Sequence, residues 1–162
     1  MSYFAAALAH IGDNWAAHEV DLDEVETIDD VVDLLRELEP DASTTVLFVE
    51  EDDEYVAIVR LNVSEDTPRV FVSDGRAADT FAVAGLLAEE TEPVRVDEDE
   101  EEELLGHDAE PLGDADLLTD LGTSASELLE LCAHEGTLPS DVISAVCESA
   151  GCSDELENLR EV

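Results

Sequence analysis

The strongest constraint in this sequence is an unbroken run of seven acids, Asp97, Glu98, Asp99, Glu100, Glu101, Glu102 and Glu103. Adjacent carboxylates repel one another and are too costly to bury, so no core-facing element can run through them. The run sits inside residues 89–116, which hold 14 acids against Arg95 and are punctuated by Pro93, Gly106, Pro111 and Gly113. That stretch reads as a solvated, flexible linker spanning roughly 30 Å, and more once self-repulsion extends it. It divides the chain into residues 1–88 and residues 117–162, two parts expected to move independently.

Acid is not confined to the linker. The 162 residues carry 45 Asp and Glu against six Arg and no Lys, a net charge of −39, shared as −17 before the linker, −13 within it and −9 after it. Hydrophobic residues still make up 44% of the chain, the ordinary share for a folded protein, so the acid is added to a core and does not replace one. The charge excludes direct binding of bare nucleic acid or of an anionic membrane, because association with phosphate depends on cations that displace counterions. A partner should therefore be basic, or should meet an apolar patch. The apolar run at residues 3–9 lacks a basic flank and is too short for a membrane span or a secretory leader, which places the chain in the cytoplasm. Cys132, Cys147 and Cys152 are an odd count at one end of the chain and encode no disulfide framework.

Alternation and turn residues give the order of elements in residues 1–88. Residues 3–10 and 15–22 read as a hairpin closed at residues 11–14. Thr27 can cap a helix with Asp29 and Asp30 in its first turn and Ile28, Val31, Val32, Leu35 and Leu38 on one face, closed by Pro40. A second hairpin follows at residues 44–49 and 55–63, then a strand at 69–73 and a helix at about 76–88. The expected architecture is α+β, a single antiparallel sheet in the order ββαβββα. Residues 117–162 read as a small all-helical domain, with helices ending at Gly122, Gly136 and Gly151 and starting at Ser124, Pro139 and Ser153. Four helices this short approach the lower limit for independent stability, so docking on the first part or on a partner is expected.

No constellation of catalytic or metal-binding residues emerges. Cys132, His134, Cys147 and Cys152 supply soft ligands, but without the close Cys pair of a zinc knuckle and with Cys132 and Cys147 on apolar helix faces, where a free thiol is a core residue. His10, His18, His107 and His134 stand far apart, and no phosphate-binding glycine loop or nucleophile elbow occurs. The acidic run lacks the spaced ligands and glycine of a calcium loop. We therefore expect no enzyme activity, no metal and no cofactor. Trp15 and Tyr55, at strand starts, are the aromatic candidates for an interface anchor beside the residues of the acidic run; the plainer role for both is sheet packing.

Five blocks carry a resemblance: Met1-Ser2-Tyr3-Phe4-Ala5-Ala6, Arg69-Val70-Phe71-Val72-Ser73-Asp74, Asp116-Leu117-Leu118-Thr119-Asp120-Leu121-Gly122, Leu131-Cys132-Ala133-His134-Glu135-Gly136 and Gly151-Cys152-Ser153-Asp154-Glu155-Leu156. Together they resemble the actinobacterial tRNA adenosine deaminase-associated protein family, across both parts of the chain and skipping the acidic middle. The resemblance implies association with a tRNA adenosine deaminase and supplies no catalytic motif. The chain itself lacks the H-x-E and P-C-x-x-C of the zinc deaminases: His107 precedes Asp108 and Ala109, and Pro139 precedes Ser140. The expected role is a non-catalytic acidic accessory that binds the deaminase or another basic protein.

The alternative is an acidic surface that serves solubility in a salty cytoplasm and has no dedicated partner. The two readings part on salt. An accessory protein keeps its thermal melting transition at low ionic strength, whereas a halophilic chain loses structure there and regains it in molar salt; a melt recorded at both extremes separates them, and we expect the transition to persist at low salt.

Overall fold

The apolar runs of the first part pair into one antiparallel sheet. A computed structural model describes residues 3–51, 54–64, 68–74, 77–78, 80–88, 112–133 and 137–160. Strands β1 (Tyr3–Ile11) and β2 (Asn14–Glu19) form the opening hairpin, and Gly12 at its turn takes φ +62°, a conformation that favours glycine. Helix α1 (Ile28–Leu38) starts as the sequence predicts: the Asp30 amide donates to Thr27 Oγ1, and the Asp30 carboxylate accepts from the Thr27 amide, a reciprocal cap at 3.3 and 3.2 Å. Strands β3 (Thr44–Glu51), β4 (Tyr55–Asn62) and β5 (Arg69–Val72) follow, then helix α2 (Ala82–Ala88) and a two-residue strand β6 (Leu112–Gly113). Hydrogen bonding orders the sheet β2-β1-β3-β4-β5-β6. The chain is α+β, as expected.

Successive side chains of a strand point to opposite faces, and here both faces are covered. On the first lie Ala7, Leu47, Val49, Tyr55, Ala57, Val59, Val70 and Val72 under α1 and α2, which contribute Val31, Val32, Leu35, Ala84 and Leu87. On the second lie Ala6, Leu8, Val46, Phe48, Val56, Ile58 and Phe71, and the elements that cover them come from the far end of the chain: α3 (Ala125–Ala133), α4 (Pro139–Ala150) and α5 (Ser153–Arg160). The sheet is the middle of three layers.

This arrangement corrects the expected organisation. Residues 117–133 and 137–160 do not enclose a small core of their own to move apart from the rest; Leu117, Leu118, Leu128, Leu129, Val142, Ile143, Val146 and Leu156 share one core with the sheet. Residues 112–116, assigned to the linker, belong to the fold: Leu112 and Gly113 pair with Val72 and Phe71, and the Asp114 amide donates to the Val70 carbonyl at 2.8 Å. Gly113 permits the pairing, because at its φ of +92° a Cβ would lie 1.9 Å from the Val70 carbonyl oxygen. The helix expected to end at Gly122 is only a short 3-10 turn, Thr119–Leu121. The later helices start where expected, with the Glu127 amide donating to Ser124 Oγ at 3.2 Å and Pro139 in the first turn of α4.

Two of the six Arg fasten this second layer. Arg60, only 5% exposed on β4, donates from Nε to Thr44 Oγ1 at 3.0 Å and from Nη1 to the Leu117 carbonyl at 2.7 Å, and grips the Asp120 carboxylate with both terminal nitrogens. Arg69 on β5 reaches Asp114 at 3.3 Å and Asp116 at 2.6 Å. The far edge of the sheet is tied down by His18, whose Nε2 lies 2.8 Å from Glu39 Oε1, joining β2 to the end of α1.

The grip has a measurable consequence. The hydrogen bond from Arg60 holds the Asp120 carboxyl below its ordinary value, so its stabilising contribution is complete above the usual carboxylate range and is lost as pH falls through the lower folded-state value. Asp120→Ala leaves a buried guanidinium with neutral acceptors and, since Asp120 itself is 67% exposed and screened by water, is expected to cost about 2 kcal/mol in urea unfolding at neutral pH. The gap between variant and wild type is expected to shrink as pH falls below about 4.

Candidate functional site

The chain leaves β2 alongside β1, with the Val20 amide donating to the Ala5 carbonyl at 2.9 Å, and then turns across the end of the sheet toward α1. Tyr3 shapes that turn. Its hydroxyl accepts from the Leu22 amide at 2.7 Å and lies 3.2 Å from Asp23 Oδ1 and 3.4 Å from Asp21 Oδ1, either of which can take its single proton. Burial pushes the Tyr3 phenol above its usual value, the Leu22 amide opposes the shift, and the neighbouring Asp23 charge adds to it, so the hydroxyl remains a donor at neutral pH. Leu22 is thereby drawn into the first core while Asp23 stays in water.

Opposite this loop stands α2, whose sequence Ala-Val-Ala-Gly-Leu-Leu-Ala is apolar on every side. Ala84 and Leu87 face the sheet and are buried; Ala82 is exposed, and Val83 and Leu86 are half-covered. Gly85 lets the helix run close to the preceding turn, since a Cβ there would come within 2.9 Å of the Ala78 carbonyl oxygen. Between loop and helix lies a cavity of about 430 Å³ lined by Leu22, Val25, Val31, Ala82, Val83, Gly85, Leu86 and Leu87, with Asp23 and Glu26 as its charged members. Both of these carboxylate residues are exposed. Residues 21–30 contain six acids, Asp21, Asp23, Glu24, Glu26, Asp29 and Asp30, and no base. An apolar floor with a rim of one sign concentrates the field and selects for cations carried on an apolar body.

The residues singled out from the sequence do not converge here. Tyr55 is 1% exposed, its hydroxyl donates to Glu51 Oε1 at 2.9 Å, and its ring lies 5.4 Å from that of Phe81; it is a first-core residue, which corrects its candidacy as a surface anchor. Trp15 is half-buried on β2, its ring 4.8 Å from the His10 ring, and it packs against the second core on the other side of the sheet. Asp97, Glu98, Asp99, Glu100, Glu101, Glu102 and Glu103 lie outside the described residues. Cys147 and Cys152 are buried in the second core. Cys132 packs against the same core, where burial pushes its thiol up to about 12, so it is neither a thiolate nor a ready ligand at neutral pH. Among the described residues no group of three His, Cys, Asp or Glu side chains is placed to hold a metal, and no helix is long and apolar enough to cross a membrane.

The cavity residues left a sequence signal that elementary periodicity overlooks. Leu22 and Val25 are isolated apolar positions in an acidic loop, and a surface helix with no polar face has somewhere to put its second apolar side.

Residues 3–153 match the family model described as Rv3753c-like tRNA adenosine deaminase-associated protein. No curated protein and no solved structure matches the chain.

Tyr3→Phe tests what holds the loop side of the cavity. It removes the acceptor of the part-buried Leu22 amide and is expected to cost about 1 kcal/mol and to raise amide hydrogen exchange at Leu22 selectively over the strand amides of β3 and β4.

Proposed function

The chain belongs to the tRNA adenosine deaminase-associated family, and from that premise we propose that it is a non-catalytic accessory of the cytoplasm that binds a basic protein, the tRNA adenosine deaminase first among them. The observation that carries this reading is the family match extending over nearly the whole of a chain with a net charge of −39 and no Lys. An enzyme that handles tRNA presents a basic surface to phosphate, and a protein of this charge is complementary to that surface as tRNA is. Encounter between the two is accelerated by their opposite fields, and an acidic protein seated on the basic surface competes with tRNA for it. The deaminase chemistry itself resides elsewhere: this chain has neither an H-x-E nor a P-C-x-x-C segment.

The seven acids at residues 97–103 extend the same complementarity beyond what a folded surface needs, and they act in this reading as a long-range lure more than as a fitted contact. Pull-down of the tagged chain from native extract is expected to enrich the deaminase at low salt and to lose it progressively as salt rises. Neutralising residues 97–103 to Asn and Gln is expected to weaken that enrichment. Failure to enrich the deaminase at low salt overturns the assignment of this partner.

A further inference from the structure

Resting on the reading that the chain binds a basic protein, we infer that the cavity between the 21–26 loop and α2 is the point of contact, and that it takes an apolar anchor from a partner segment whose flanking residues are Lys or Arg. Two independent features select this occupant. The walls are apolar side chains from separate elements, Leu22 and Val25 from the loop and Val83 and Leu86 from α2, around a cavity of about 430 Å³, within the range of sites that enclose a ligand. The rim carries Asp23 and Glu26, and nothing basic within residues 21–30 offsets them.

Each alternative occupant fails one of these features. A polar polycation satisfies the rim and leaves the apolar walls wet. An apolar segment with acidic flanks fits the walls and is repelled by the rim. A second copy of this chain brings its own net charge of −39 to the same carboxylates. An amphipathic segment with apolar residues three or four apart and Lys or Arg beside them satisfies both, in the manner of a helix laid along a groove. The anchor gives affinity through burial, and the rim gives rate and sign selectivity.

Three variants of the full chain separate these contributions. Val83→Trp fills the cavity without changing charge. Asp23→Asn with Glu26→Gln removes the rim charge from two exposed positions and leaves the walls intact. Glu127→Gln with Glu148→Gln removes the same charge from exposed positions on α3 and α4, in the layer across the sheet, and serves as the control. Against purified deaminase, each of the first two is expected to weaken binding by about tenfold or more, and the control by less than about twofold. In parallel, the ¹⁵N-labelled wild-type chain is titrated at moderate salt with an amphipathic leucine–lysine peptide and with its leucine–glutamate counterpart. The lysine peptide is expected to shift the amides of Leu22, Val25, Val83 and Leu86, and the glutamate peptide to shift none of them.

The outcomes are distinct. If the deaminase binds the wild type and the first two variants equally, the cavity is not the contact and the inference falls, while the accessory reading stands. If the deaminase does not bind but the lysine peptide localises to the cavity, the partner assignment falls and the cavity remains a site for basic amphipathic segments. Peptide shifts spread over the acidic surface and absent from the cavity overturn the inference whatever the deaminase does. Should Val83→Trp fail to fold, the rim variant, made at exposed positions, decides.

Discussion

The central strands β1, β3 and β4 are apolar on both faces, and the rest of the structure answers that constraint. A sheet whose inward and outward side chains are both hydrophobic must be covered twice. The helices of the first part, α1 and α2, cover one face only, and without the C-terminal elements Phe48, Ile58 and Phe71 would meet water, at about 1.5–3 kcal/mol for each large side chain. The acidic middle of the sequence therefore joins two halves of one core. Its far end is drawn into the sheet as β6, which leads into the elements α3, α4 and α5 that cover the second face.

Positive charge is scarce in this molecule, and its location follows from the same constraint. The 3-10 turn at Thr119–Leu121 opens the second layer, and its fixed point is the Arg60 guanidinium, buried at the end of β4 and bonded to a hydroxyl, a carbonyl and a carboxylate from both sides of the junction. Arg69 does the same for the residues leading into that turn. These two cations are taken up by Asp114, Asp116 and Asp120, so neither is free to offset the acids elsewhere on the surface. At the cavity rim, Asp23 and Glu26 stand beside the half-covered apolar side chains Val25, Val83 and Leu86.

Much of the fold was legible because its signals are local. Thr27 with Asp30 three residues on, the alternation of β1 and its turn, and the Pro139 and Gly151 that bracket α4 are read from a few neighbours each. What escaped was non-local. Leu112 and Gly113 look like part of a Pro-, Gly- and acid-rich coil, and only the neighbouring β5 makes a strand of them. The segment before Gly122 has a helix-like pattern, but its carbonyl at Leu117 bonds Arg60, 57 residues away in sequence, and the turn stays short. Tyr55 at a strand start could face either way, and the register with Glu51 turns it inward. The sequence does carry one sign of the second layer: strands such as Val46, Leu47, Phe48 and Val49 run apolar without alternation, which calls for cover on both faces.

The sequence by itself determined most of the element types, the antiparallel sheet and the family likeness, because propensity, capping and motif blocks are carried by neighbouring residues. Only the tertiary structure decided that the last third of the chain shares the sheet's core, that Tyr55 lies inside, and that an acidic loop and an apolar helix 60 residues apart enclose one cavity. Those outcomes depend on which surfaces remain uncovered once the sheet has formed, and burial is a property of the assembled layers that no single stretch of sequence contains.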